Sequence, residues 1–218
     1  MAKLFWRYGA MGTSKTANAL MVRYNYIEKG QRVIMLKPRK ENRDGENIIK
    51  SRIGLQAECI FVEDFIQYVK DNWIPLYYVE VEVEPGCLTD EQIWRVVDRC
   101  EDWRLFSAVI VDEAQFLTEE QVDFLTDVVD KFNIPVICYG LRTDFKGKFF
   151  EGSKRLMEVA DVIEEIPTVC WCGKRAQFNA RICDGKIVRD GEQVMMGGNE
   201  SYVSLCRHHY KTGQLKAD

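Results

Sequence analysis

Residues 9–16, Gly-Ala-Met-Gly-Thr-Ser-Lys-Thr, follow directly on the apolar stretch Leu4-Phe5-Trp6-Arg7-Tyr8. A strand feeding a tight loop feeding a helix aims consecutive backbone N–H groups at one point. The helix N-terminus adds partial positive charge there. Lys15 adds a full charge and Thr16 a hydroxyl suited to Mg²⁺, so the loop of Gly9, Ala10, Met11, Gly12, Thr13, Ser14, Lys15 and Thr16 suits a polyphosphate. Ser14 stands where a phosphate-binding loop usually has Gly before its Lys. If that position is left-handed, Ser costs ~1–2 kcal/mol more than Gly; Gly12 is the other residue able to take the sharp turn. For the segment alone, the alternative is an ordinary turn capped by Thr13 or Ser14 at a helix start.

A second segment favours the phosphate reading. Ser107-Ala108-Val109-Ile110-Val111-Asp112-Glu113-Ala114-Gln115-Phe116 is an apolar run ending in two acids. Continuous apolar character suits a strand covered on both faces, as in a parallel sheet. Asp112 then stands where a carboxylate orients hydrated Mg²⁺. Glu113 points the other way, into the space where a phosphate acceptor would lie.

A third group has metal-ligand character. Cys170-Trp171-Cys172 and Cys206-Arg207-His208-His209 offer thiols and imidazoles near the C-terminus. Zn²⁺ takes four tetrahedral ligands from such residues, and Cys170, Cys172, Cys206 and His209 satisfy it; the C-x-x-H spacing favours His209 over His208. With no ligand position left open, the metal is structural. The alternative is free thiols beside a surface histidine pair. Cys59, Cys87, Cys100, Cys138 and Cys183 are scattered and read as small hydrophobes.

The rest of the chain must position these groups. Its 218 residues suffice for one sizeable core and a small second module. A net charge of −4 supplies no cationic surface for nucleic acid. No apolar run approaches the ~20 residues that span a bilayer, and the N-terminus runs straight into a strand, so a cytoplasmic protein without a membrane or nucleic-acid partner is expected.

Ala17–Lys29 predicts a helix stopped at Gly30, Arg32–Leu36 a strand and Arg39–Lys50 a mobile loop. Cys59–Val62 and Asp64–Val69 predict a short strand and a helix. Tyr77–Glu84 alternates like a strand, and Thr89 with Glu91 opens a helix to Cys100. Thr118 caps a helix to Phe132, and Pro135–Tyr139 is a buried strand ended by Gly140. The alternation predicts a parallel α/β sheet with helices on both faces, and ligands collect beyond the carboxyl ends of such strands. The pattern fades near Ile166-Pro167, which divides residues 1–166 from a Cys-, Gly- and Arg-rich remainder, 167–218, too short for its own apolar core.

Gly9–Thr16, Asp112–Phe116, Tyr139-Gly140-Leu141-Arg142-Thr143-Asp144-Phe145 and Gly197-Gly198-Asn199-Glu200-Ser201-Tyr202 occur in the order seen in thymidine kinases of the zinc-containing type. The chain resembles that family, shared by bacteria, large viruses and animal cytosol, over nearly its whole length. The resemblance implies transfer of the γ-phosphate of ATP to the 5′-hydroxyl of thymidine or deoxyuridine in nucleotide salvage. It also implies a RecA-like P-loop domain, a zinc-ribbon-like domain whose long loop wraps the nucleoside, and a homotetramer. On this resemblance Glu113 is the general base. Asp112, Glu113, Ala114, Gln115 and Arg43 join the loop 9–16 on the ATP side, and Met11, Phe116, Leu141, Phe145, Phe150, Met195 and Tyr202 surround the nucleoside. Glu41 stands where the family usually has Asp.

Two other function classes fit parts of the chain. A non-catalytic nucleotide sensor would use the loop, weakened at Ser14, but has no need of a base such as Glu113. A zinc-ribbon nucleic-acid binder would use Lys174, Arg175, Arg181 and Lys186, but these are dispersed on an acidic chain.

Overall fold

The computed structural model describes residues 1–41, 45–71, 106–193 and 202–216. The strand expected at 77–84, the helix expected at 89–100, Arg43, Met195 and the Gly197–Ser201 motif lie outside the described residues.

The elements run β1 (Leu4–Tyr8), α1 (Lys15–Ile27), β2 (Val33–Lys37), β3 (Ile48–Lys50), β4 (Gln56–Glu58), β5 (Ile60–Phe61) and α2 (Val62–Asp71). After residue 105 come β6 (Ala108–Val111), a 3₁₀ turn (Ala114–Phe116), α3 (Glu119–Phe132), β7 (Val136–Gly140), α4 (Glu151–Val159) and β8 (Val162–Glu165). The remainder holds β9 (Thr168–Val169), β10 (Arg175–Ala176), β11 (Phe178–Cys183), β12 (Lys186–Val188), β13 (Tyr202–Leu205) and α5 (Arg207–Thr212).

Six strands form one sheet in the order β5-β2-β6-β7-β1-β8, and every neighbouring pair is parallel. Side chains alternate between its faces, as pleating requires. Leu4, Trp6, Val109, Val111, Val136 and Cys138 pack with α2, α3 and α4. Met35, Ile110, Ile137 and Tyr139 pack with Ala19 and Leu20 of α1. Both faces are therefore dry, which explains the unbroken apolar runs of β6 and β7. The carboxyl ends of β1, β2, β6 and β7 lie at one edge, and they deliver Gly9, Lys37, Asp112 and Leu141 to it.

Helix α3 begins where the sequence predicts. Thr118 Oγ1 accepts from the Gln121 N–H at 3.2 Å, and Gln121 Oε1 accepts from the Thr118 N–H at 3.0 Å, a reciprocal capping box. Thr118→Ala is expected to lower unfolding stability by about 1 kcal/mol, read as a lower urea midpoint at unchanged slope; an unchanged midpoint would contradict the cap.

The expected loop at 39–50 needs correction. Its last residues form β3, which pairs antiparallel with β4 through Ile49↔Ala57. Each strand buries only its central residue, Ile49 or Ala57, against the α1 side of the core. Three-residue strands leave too little periodicity to read. The region after Pro167 also builds a small core of its own, in which Ala176, Ala180, Leu205 and Tyr210 surround Cys170 and Cys206. Phe178 stacks on Tyr210 with ring centroids 4.7 Å apart.

Candidate active site and metal centre

The phosphate loop leaves β1 at Gly9, where an added Cβ would lie 2.6 Å from the Ile166 carbonyl oxygen and from Thr13 Oγ1. No larger residue fits there without displacing backbone. The loop turns twice through left-handed geometry, at Gly12 (φ 77°) and at Ser14 (φ 58°). Both residues singled out in the sequence thus share the turn, and Ser14 carries the strain. Lys15, the first residue of α1, is buried, and its Nζ donates to the Ala10 carbonyl at 2.8 Å. Gly9 and Ala10 stand behind Lys15 as carbonyl partners rather than on the cavity wall.

A cavity of about 670 Å³ opens above this loop. Met11 to Ala17 form one wall, and the β3–β4 hairpin with Lys37 and Glu41 forms another. Asp112, Glu113 and Gln115 line it, as do Phe116, Leu141, Phe145, Phe150 and Tyr202. Phe116 and Phe150 meet edge to face at 5.7 Å. Ala114 does not reach it: the 3₁₀ turn points its methyl into the core.

Two acids enter the cavity differently. Asp112 is buried, and its carboxylate accepts the Thr16 hydroxyl. Burial, with the neighbouring Glu113 charge, pushes its pKa up to about 7, while Thr16 and Lys15 oppose the shift. Replacing it by Asn removes one of two adjacent carboxylates and keeps an oxygen for Thr16. Asp112→Asn is therefore expected to raise the melting temperature of the nucleotide-free protein by about 2–4 °C while lowering turnover. A lower melting temperature would contradict this electrostatic cost.

Glu113 takes a left-handed backbone (φ 52°), which turns its side chain away from the strand direction. Gln115, fully buried, holds it there. Its Nε2 donates to Glu113 Oε2, and its Oε1 accepts from the Leu141 N–H at 2.9 Å. Gly140 is needed for this bridge, because an added Cβ would sit 2.5 Å from Gln115 Oε1.

Sequence reasoning missed Asn179 and Gln193, and it read Arg181 only as a dispersed basic residue of the nucleic-acid alternative. Arg181 is buried, lies over the Phe145 ring at 3.8 Å and donates to the Tyr202 hydroxyl at 2.9 Å. Gln193 Nε2 donates to Asp144 Oδ2 at 3.1 Å. None belongs to a spaced motif; an arginine alternating into the buried face of β11 was the one available signal.

The four C-terminal candidate ligands come together. Sγ of Cys170, Cys172 and Cys206 and one ring nitrogen of His209 all lie within 4.8 Å of one another. His209 Nδ1 is 3.4 Å from Cys170 Sγ and 3.5 Å from Cys206 Sγ, and the Cys172 and Cys206 sulfurs are 4.0 Å apart. Ligands of a tetrahedral Zn²⁺ with ~2.3 Å bonds to sulfur stand about 3.5–3.8 Å apart, so this Cys₃His set fits zinc. Trp171 stacks on His209 at 4.1 Å.

The thymidine kinase family model matches residues 2–75 and 85–210. The chain belongs to the thymidine kinase family. Thymidine kinase of Lactiplantibacillus plantarum is 42% identical over 96% of this chain and 96% of its own length. That of Coxiella burnetii is 40% identical over 98% and 97%, and that of Rhodopirellula baltica 39% over 97% and 89%. Among solved structures, a chain titled as a DNA replication initiation factor shares 13% identity with a TM-score of 0.36, over 76% of this chain and 40% of that one. As a thymidine kinase, the protein is an ATP-dependent phosphotransferase. Among the described residues, no helix is long and apolar enough to cross a membrane.

Proposed function

We propose that this thymidine kinase transfers the γ-phosphate of ATP to the 5′-hydroxyl of thymidine or deoxyuridine, with Glu113 as the base. The observation that carries the assignment of roles is that Lys15, Thr16, Asp112 and Glu113 open onto one cavity, with Phe116, Phe145 and Phe150 on its wall. Phosphoryl transfer needs charge neutralised at the γ-phosphate and an acceptor oxygen held in line. The Gly12–Thr16 amides and the Lys15 ammonium face the polyphosphate, and Lys15 exchanges its carbonyl partners for phosphate oxygens. Thr16 and Asp112 would hold Mg²⁺, which when bound spreads the charge on the β- and γ-phosphates. Glu113 accepts the 5′-hydroxyl proton as the oxygen attacks. The flat, largely apolar faces of a pyrimidine suit Phe116, Phe145, Phe150, Leu141 and Met11, with Tyr202 beside them.

The remaining roles rest on the family. Residues 1–166 form the kinase domain and 167–218 the module covering the nucleoside, where Cys170, Cys172, Cys206 and His209 would hold structural Zn²⁺. The protein acts in the cytoplasm as a homotetramer; exposed Met21, Tyr24 and Ile27, spaced along one side of α1, support burial against a second copy.

Labelled γ-phosphate from ATP-Mg²⁺, offered with thymidine, deoxyuridine, deoxycytidine or no acceptor, tests the reading. Label is expected in thymidine and deoxyuridine monophosphates. ATP binding without transfer would instead support a nucleotide sensor.

A further inference from the structure

Asn179 and Ser204 are register partners across the β11–β13 ladder, and both hold the main chain of Met11, far away in the phosphate loop. The Met11 N–H donates to Asn179 Oδ1 at 2.7 Å. The Ser204 hydroxyl donates to the Met11 carbonyl oxygen. Asn179 is itself buried and fixed from its other end, where Nδ2 donates to the Thr143 carbonyl at 3.2 Å. One cross-strand pair therefore grips both polar groups of a single loop residue. β13 leads within two residues to Cys206, so the grip is built on the metal-binding segment.

The loop has reason to need an external grip. Immediately after Met11 it passes through left-handed Gly12 and, two residues later, left-handed Ser14. Ser14 makes no side-chain cap bond to offset the cost of that conformation. Such geometry persists only where surrounding structure over-determines it. Lys15 helps from the inside by binding loop carbonyls, but those bonds must loosen when its ammonium turns to phosphate. The bonds to Met11 do not compete with phosphate, because they use the main chain of the residue before the turn.

We propose that Asn179 and Ser204 are positioning residues for the phosphate loop, so that the metal-binding segment sets polyphosphate affinity as well as covering the nucleoside. The proposal rests on reading residues 9–16 as the ATP site. Ser204 gives the cleaner test, because Asn179 also lines the cavity.

In the full-length, zinc-loaded protein, Ser204→Ala is expected to weaken ADP binding, measured calorimetrically, and to raise the KM for ATP, each about 3–10-fold, the effect of one lost hydrogen bond. The KM for thymidine rises less than the KM for ATP, because Met11 is one of several side chains placed around the base whereas the whole phosphate loop follows it. Adding Ser14→Gly, which takes the left-handed turn without strain, restores ADP affinity, and Ser204→Thr, which keeps the hydroxyl, stays near wild type. Lys15→Ala serves as the reference for the site itself. If Lys15→Ala abolishes ADP binding while Ser204→Ala leaves it intact, the positioning role is overturned and the ATP site stands. If Lys15→Ala binds ADP normally, the site reading fails and the proposal falls with it. Equal rises in both KM values with a lowered melting temperature, or no recovery on adding Ser14→Gly, would reduce Ser204 to a structural residue and overturn the proposal.

Discussion

Glu113→Gln is expected to lower kcat about 10²–10⁴-fold, the usual contribution of a positioned general base, while ADP affinity stays within about threefold. The substitution isolates proton transfer from structure. The backbone of Glu113 is held left-handed between β6 and the 3₁₀ turn, and that geometry does not depend on the side-chain charge. A glutamine keeps the oxygen that accepts from Gln115, so the bridge to the Leu141 N–H survives. What disappears is the capacity to take a proton from the acceptor hydroxyl. Steady-state turnover and an ADP titration on the same preparation separate the two effects. Turnover near that of the wild type would remove Glu113 from its role.

Cys170→Ser is the second large perturbation. It is expected to abolish stoichiometric zinc, lower the melting temperature by 10 °C or more and raise the KM for thymidine. Among the described residues, the buried apolar partners of these candidate ligands are Ala176, Ala180, Leu205 and Tyr210. That is too little apolar area to fold a segment of this size alone, whereas a structural zinc contributes an apparent ~10–16 kcal/mol. The damage should reach the cavity, because the Tyr210 hydroxyl donates to the Phe145 carbonyl at 2.6 Å and Arg181 packs over the Phe145 ring. Metal content by elemental analysis and thermal melting check it, with Trp171, stacked on His209, as a fluorescence reporter. Unchanged zinc content and melting would exclude Cys170 as a ligand.

The sheet was legible in the sequence because its strands are apolar on both faces, so β6 and β7 read as unbroken runs rather than as alternation. The placement of Asp112 and Glu113 followed from the end of one such run. Ser14 was also readable as a departure, and its left-handed backbone gives that departure a physical cost. The β3–β4 hairpin was hidden because each strand commits a single side chain to the core. Asn179, Gln193, Ser204 and the packing role of Arg181 were hidden for a different reason. They act through hydrogen bonds to main chain or side chains more than ten residues away, or through a ring face, and no local spacing encodes such partners. The small core after Pro167 is not legible because the segment is short and its buried apolar residues are few and scattered, two of the buried members being Cys170 and Cys206.

The most direct measurement is a structure of the protein with thymidine and a non-hydrolysable ATP analogue, read at one distance. The thymidine 5′-oxygen is expected within about 2.6–3.2 Å of a Glu113 carboxylate oxygen, with the γ-phosphate group between Lys15 and that oxygen. A 5′-oxygen bonded elsewhere, with Glu113 facing solvent or protein, would contradict the account.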